Sequence, residues 1–428
     1  MPPLFHPMRI GLAILFVLMF ASAAVAAGPA FSTQARLGFT EGDQWEPAIA
    51  ADGFGHVYVL YPQYGIVPGC RNCALPSMTL VVSEDNGLTW QAPRGITSHI
   101  TGQFDPQIVV DPADRRTVYA AWLQNNNTEA ILAKSVDFGQ SWFMTVADRG
   151  SEDADKPILT VHGPDVYLAF NRAHKIRVAA SHNGGITFTS TDVNPALNLF
   201  RALAGGASVD SDHNVFVAWA GYTRHDGAKG HVNLYISKSA DGGKTWANTL
   251  MDTSDAPPDC SAFHCEWGYL GAQITMASDD AGILYALWNA GKEDKGPARM
   301  YFASSTTAGE TWSTKSEVSQ APVGAEHAFP ALIAGGAGDV RVAWMDTRNG
   351  PLWNTFYRSS TNGGATWSAE SKLSGYIAGY RYIKPTGFSF PFGDYFEVAI
   401  DNQGHTHAVW GEGANFRTPG SIWYSNGR

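Results

Sequence analysis

Charge is scarce in this chain. Only 16% of its 428 residues are Asp, Glu, Lys or Arg, and the balance is acidic, with a formal net charge of −10. No basic run is present, so bulk electrostatics speak against nucleic acid or an anionic membrane surface as a partner. Past residue 27 no apolar run is long enough to span a bilayer, and membrane insertion is not expected. The sequence has no P-loop, dinucleotide fingerprint, His-Glu-x-x-His or Gly-x-Ser-x-Gly elbow. The commonest nucleotide, zincin and serine-hydrolase chemistries are therefore set aside, and no cofactor or metal site is expected.

Glycine and aromatics are what the chain has instead, with 45 Gly and 12% Phe, Trp and Tyr. They are arranged in a repeat. Ser83–Trp90 reads SEDNGLTW, and the same pattern returns as SVDFGQSW from Ser135, SHNGGITF from Ser181 and SADGGKTW from Ser239. STTAGETW from Ser305 and STNGGATW from Ser360 complete six copies. Their spacing, on the order of 50–60 residues, is close to that of a propeller blade. An apolar strand enters each box and an aromatic strand leaves it, so the box is a hairpin turn. The third position (Asp85, Asp137, Asn183, Asp241, Asn362) can accept backbone N–H groups within the turn, and Thr307 replaces it once. These residues are read as structural, because many near-identical sites are the product of repeated packing rather than of one reaction centre.

A second repeat runs between the boxes, an apolar strand ending in an aromatic. It appears seven times, in His56–Tyr61, Thr117–Trp122, Asp165–Phe170, Asn214–Trp219, Ile283–Trp288, Asp339–Trp344 and His405–Trp410. The seventh unit continues to a third strand at Ser421–Ser425, with no box after it. Phe31–Leu37 resembles Trp367–Leu373, the fourth strand of the sixth unit, and would complete the seventh. The expected fold is all-β, a seven-bladed β-propeller with the ring closed by an N-terminal strand, which removes the free sheet edge. A six-bladed ring with a decorated entry segment is the alternative.

The boxes are similar to the Asp-box, or bacterial neuraminidase repeat, of the sialidase-like β-propellers. That resemblance implies the fold. It leaves function open among sialidases, other glycanases, receptors and assembly factors. By analogy with those propellers, the ligand face lies opposite the boxes, where chains enter each first strand and leave each second strand. Three carboxylates at first-strand entries, Glu46, Asp105 and Asp394, are the leading catalytic candidates, with Asp346 beside Arg348 next. Paired carboxylates are what glycoside hydrolysis requires. Trp45, Trp267 and Tyr395 offer stacking surfaces, and Arg172, Arg224, Arg348 and Arg417 offer forks for an acidic sugar. The expected partner is an oligo- or polysaccharide, bound by a monomer. A glycoside hydrolase is the leading reading, a polysaccharide lyase a lesser one. A non-catalytic glycan- or protein-binding or assembly propeller is the alternative. The Arg-Ile-Pro motif of sialidases has no counterpart, since the comparable entries read Gln44-Trp45-Glu46-Pro47 and His327-Ala328-Phe329-Pro330.

Residues 1–27 read as a signal peptide. Arg9 precedes the apolar stretch Ile10–Phe20, and Ala24-Val25-Ala26 resembles a cleavage signal. Residues 28–428 then form a single propeller domain, secreted or periplasmic. In that setting Cys70 with Cys73, and Cys260 with Cys265, are expected to close two local disulfides, although four cysteines allow three pairings. A zinc site built from the cysteines is the alternative.

Overall fold

The computed structural model describes residue 1 and residues 28–428 except 40–41, 98–100, 211, 224–228, 261–269, 350–352, 376–392 and 414–419. The expected signal peptide thus lies outside the described residues. Seven antiparallel sheets make up the described fold, each with four main strands in up-and-down order. Blade 1 runs Ala48–Ala51, Val57–Tyr64, Ser77–Ser83 and Arg94–Gly95 from axis to rim, with Asp43–Gln44 extending its first strand. Blade 7 runs Glu397–Ile400, Thr406–Gly413 and Gly420–Gly427, and its fourth strand is Ala35–Arg36 from the other end of the chain. Ala35 pairs with Tyr424 and Arg36 with Trp423, while Phe31 bridges Gly427. First strands pack side by side around the axis, and the last, Glu397–Ile400, meets Ala48–Ala51 of the first blade. The ring has seven blades and is closed as expected.

Second strands form the hidden layer. Trp122, Trp219, Trp288, Trp344 and Trp410 lie in the last turns of pleat of five of them and are almost wholly buried, with Tyr61 and Phe170 at the equivalent places. Aromatic bulk here fills the space between blades, which a propeller must close without a helix layer. Buried indole N–H groups need acceptors. Three find one two residues on: Trp122 donates to Gln124, Trp344 to Asp346 and Trp410 to Glu412.

Each box is held by its own side chains. In the first copy the Ser83 hydroxyl donates to Asp85 at 2.8 Å and accepts the Gly87 N–H at 2.9 Å. Asp85 accepts the N–H groups of Leu88 and Thr89 and the Thr89 hydroxyl. Where Thr307 stands, its hydroxyl takes over the acceptor role for the Thr311 N–H. Gly87 is required twice over. Its φ of +75° is in the left-handed region, and an added Cβ would lie 2.0 Å from the Tyr424 hydroxyl of blade 7. The closing aromatics wedge between blades: Trp90 meets Tyr424 of blade 7 edge-on at 4.8 Å, and Trp367 meets Phe302 of blade 5 at 5.0 Å.

Candidate functional site

One backbone device recurs at the entry to the first strands. Residues preceding a proline, Glu46, Asp105, Lys156 and Phe329, all have positive φ, between +47° and +58°. Each marks a β-bulge. Register passes from Phe104–Leu123 to Gln107–Ala121 in blade 2, and from Asp155–Asn171 to Ile158–Ala169 in blade 3, with one extra residue on the inner strand. Blade 6 does the same between Ala328 and Ala331. A bulge bends the strand and re-aims the side chain of the extra residue. Left-handed backbone on a bulky residue costs on the order of 1 kcal/mol, so its recurrence here singles the position out.

Three of the four bulge residues meet the chain entering blade 7. Gly393 adopts φ +69°, and a Cβ there would lie 2.2 Å from Glu46 Cγ. Glycine therefore lets the backbone cross directly over Glu46, and the Asp394 N–H donates to Glu46 Oε1 at 3.2 Å. On the neighbouring blades, the Lys156 N–H donates to Asp105 Oδ2 at 3.3 Å. The Lys156 ammonium donates to Gln273 Oε1 at 2.8 Å and faces the Tyr395 ring at 5.2 Å. Arg201, ion-paired with Asp155, adds a second positive field beside Asp105. Glu397 accepts the Gln107 amide at 2.6 Å and the Ile49 N–H at 2.8 Å. Beneath these groups the axis holds a cavity of about 190 Å³, whose polar lining includes Lys156, Gln273, Gln107, Tyr395 and Glu397.

The cluster is electrostatically strained. Burial, and then the like charges of Asp394 and Asp105, push the Glu46 carboxyl well above the usual range. Asp105 is raised to about 6 by burial and by Asp394, against the pull of Lys156 and Arg201. Burial raises Glu397 to about 7 despite its two hydrogen bonds. Tyr395 is held protonated by burial and by the surrounding carboxylates. At neutral pH the site thus combines carboxyl groups of unlike protonation, one buried cation and a neutral phenol.

Glu46, Asp105, Asp394 and Tyr395 are therefore brought together, as their sequence positions suggested. Other candidates are placed elsewhere. Asp346 is fully buried, receiving the Trp344 indole and the Arg348 guanidinium, and so acts as a fastening at the end of a second strand. Arg348 also pairs with Glu370 and lies over the Phe356 ring at 3.6 Å. Arg172 is buried against Asp148 at 2.9 Å and bonds the carbonyls of Glu152 and Thr128. Neither arginine has its fork free for a ligand. Trp45 is buried behind Glu46, stacked on Tyr64 at 4.1 Å, and supports the site rather than offering an open platform. Arg224, Trp267 and Arg417 lie outside the described residues. Cys70 and Cys73 form a disulfide, which leaves neither thiolate for zinc. Cys260 is also disulfide-bonded, and Cys265 lies outside the described residues. Lys156, Gln273 and Glu397 were missed by sequence reasoning. Lys156-Pro157 aligns with Glu46-Pro47 and Asp105-Pro106, and that alignment alone would have found it.

Fold and repeat together define a sialidase-like propeller. The family of the BNR repeat-like domain matches residues 32–269, and the chain belongs to it. No curated protein sequence matches. Among solved structures, a protein of unknown function from Dyadobacter fermentans DSM 18053 is similar at 14% identity and TM-score 0.54, over 93% of this chain and 98% of that one. An ulvan lyase solved with -[GlcA(1-4)Rha3S]- is similar at 13% identity and TM-score 0.52, over 90% and 94%. A Hadza microbial sialidase aligns at 14% identity and TM-score 0.46, over 90% and 66%. Identities this low establish shared architecture alone.

Proposed function

We propose that this protein is an exported glycoside hydrolase whose active site is the axial cluster of Glu46, Asp105 and Asp394. One observation carries the reading: buried Glu46 is pushed well above the usual carboxyl range beside Asp394 and Asp105, while Asp105 is raised only to about 6. Environments that push neighbouring carboxyls apart are how acid and base roles are divided. Glu46, kept neutral, is suited to protonate the departing glycosidic oxygen. Asp105, ionised above about pH 6, is suited to act as base or nucleophile, with Asp394 holding sugar hydroxyls or sharing that role.

The test is turnover on a panel of polysaccharides, sialosides included, by wild type and by Glu46→Gln, Asp105→Asn and Asp394→Asn. Loss of turnover by two or more orders of magnitude in at least one folded variant supports the reading. Retained binding with no turnover in the wild type would instead make the protein a recognition module.

A further inference from the structure

Lys156 is 4% exposed, too buried to be a principal contact for a substrate at the mouth. Both ends of the residue are tied to other blades. Its backbone is left-handed at the bulge, φ +47°, and its N–H donates to Asp105 Oδ2 of blade 2 at 3.3 Å. Its ammonium crosses to blade 5, donating to Gln273 Oε1 at 2.8 Å and facing the Tyr395 ring of blade 7 at 5.2 Å. Gln273 is held in turn. Its N–H donates to Asn289 Oδ1 at 2.8 Å, and the Asn289 N–H returns to the Gln273 carbonyl at 3.2 Å. The wholly buried Asn289 amide also donates to the His327 carbonyl of blade 6 at 3.1 Å. One line of hydrogen bonds thus runs from blade 6 through blades 5 and 3 to Asp105. Ordering a lysine side chain costs rotamer entropy, and burying its ammonium requires counter-charges. Asp105 and Glu46 supply them, unequally. Asp105 is acted on by two cations, Lys156 and Arg201, and by one carboxylate, Asp394. Glu46 is acted on by one cation, Lys156, and by two carboxylates, Asp394 and Asp105.

We propose that Lys156 is a positioning residue of this site: anchored by Gln273, its ammonium and backbone N–H keep the negative charge on Asp105 and leave the proton on Glu46. The inference rests on the hydrolase reading for the roles of the two carboxyls, but the placement of the charge is observable without turnover. Other groups near Asp105 do not supply this bias. Burial keeps the Tyr64 and Tyr395 phenols protonated, so neither carries charge. Asp394 and Glu397 from blade 7 are acidic, and neither favours ionisation of a carboxyl beside it. Arg201 of blade 4 is the other cation, but it is partly exposed and already paired with Asp155 of blade 3. A buried charge acts in a lower dielectric than an exposed one, so the Lys156 ammonium dominates. Without it the Asp105 carboxylate loses its main support and holds its proton to higher pH.

Carboxyl-carbon NMR of protein carrying isotope-labelled aspartate and glutamate tests it. Asp105→Asn and Glu46→Gln assign the two resonances by their loss. In the wild type Asp105 should titrate near pH 6, before Glu46. Lys156→Met should move the Asp105 titration up by about one pH unit or more, a ten-fold or greater rise in proton affinity. Lys156→Gln is equally neutral, should do the same, and covers the case that the methionine variant fails to fold. Lys156→Arg keeps the charge and should keep the titration near its wild-type place. On any substrate that is turned over, the acid limb of the pH profile should rise in step in Lys156→Met, whereas a lysine with a packing role alone would lower Tm and leave the limb in place. An Asp105 titration unmoved in a folded neutral variant, or a Glu46 carboxyl that ionises before Asp105 in the wild type, overturns the proposal. Absence of turnover in the wild type would count against the hydrolase reading alone, because the titration is read without substrate.

Discussion

Closure of the ring by Phe31–Leu37 can be weighed with one side chain. Leu37 is 8% exposed and packs among Ile49, Val59, Tyr61 and Ile422, thereby joining blade 1 to blade 7. Its N–H donates to the Ile422 carbonyl at 3.1 Å. Truncation to alanine removes about three methylene-sized groups and leaves a cavity that two sheets cannot easily collapse, at a cost of about 2–3 kcal/mol. For a domain of about 400 residues the unfolding entropy is about 0.8 kcal/mol/K, so Tm should fall by about 3 °C. Leu373 supplies the control. It holds the same place in the fourth strand of blade 6, is 5% exposed, and its N–H donates to Thr355. Leu37→Ala and Leu373→Ala should cost alike in denaturant melts followed by near-UV circular dichroism. A neutral Leu37→Ala beside a costly Leu373→Ala would refute closure by the N-terminal segment.

Other outcomes follow from the site and from the boxes. The acid limb of any hydrolytic pH profile should fall near pH 6, where Asp105 is raised; activity grows as pH rises through that value, and the apparent constant belongs to the whole cluster. Gly393→Ala should abolish activity and lower Tm by a few degrees, because the new methyl strains a left-handed backbone and displaces Glu46; an active variant would contradict the close approach. Asp346→Ala should destabilise the protein by about 3–5 kcal/mol, since it strips a buried partner from Arg348, yet leave the specific activity of the folded fraction unchanged. In the second box, Asp137 is lowered to about 2 by the Ser141 hydroxyl and N–H. A depressed carboxylate contributes stability above about pH 4 that is lost as pH falls towards about 2. Asp137→Asn, the residue two other copies already use, should keep the box but flatten that part of the acid-unfolding curve.

Much of the architecture was legible because repeats multiply weak signals. One Ser-x-Asp-x-Gly-x-Thr-Trp is a turn, while six of them with seven aromatic-ended strands fix blade number and strand order. The closing segment was legible for the same reason, by its likeness to Trp367–Leu373. The site was legible only in part. Glu46, Asp105 and Asp394 were found because each stands where a first strand begins near the axis. Asp346 and Arg348 look identical in kind to them, and nothing local reveals that the Trp344 indole and Glu370 consume their bonding capacity. Lys156 escaped because its significance lies in the neighbours it meets, Asp105, Gln273 and Tyr395, which come from blades far apart in sequence. Trp45 was misjudged by one layer: an aromatic beside a bulge can face the ligand or stand behind the residue that does.

The central claim is that the axial carboxyls carry out glycan hydrolysis, and reducing-end release from polysaccharides tests it most directly. Wild type should release sugar from at least one substrate of the panel, with Glu46→Gln slowed by two or more orders of magnitude while its Tm stays within a few degrees. Undiminished release by Glu46→Gln, Asp105→Asn and Asp394→Asn alike would contradict the account.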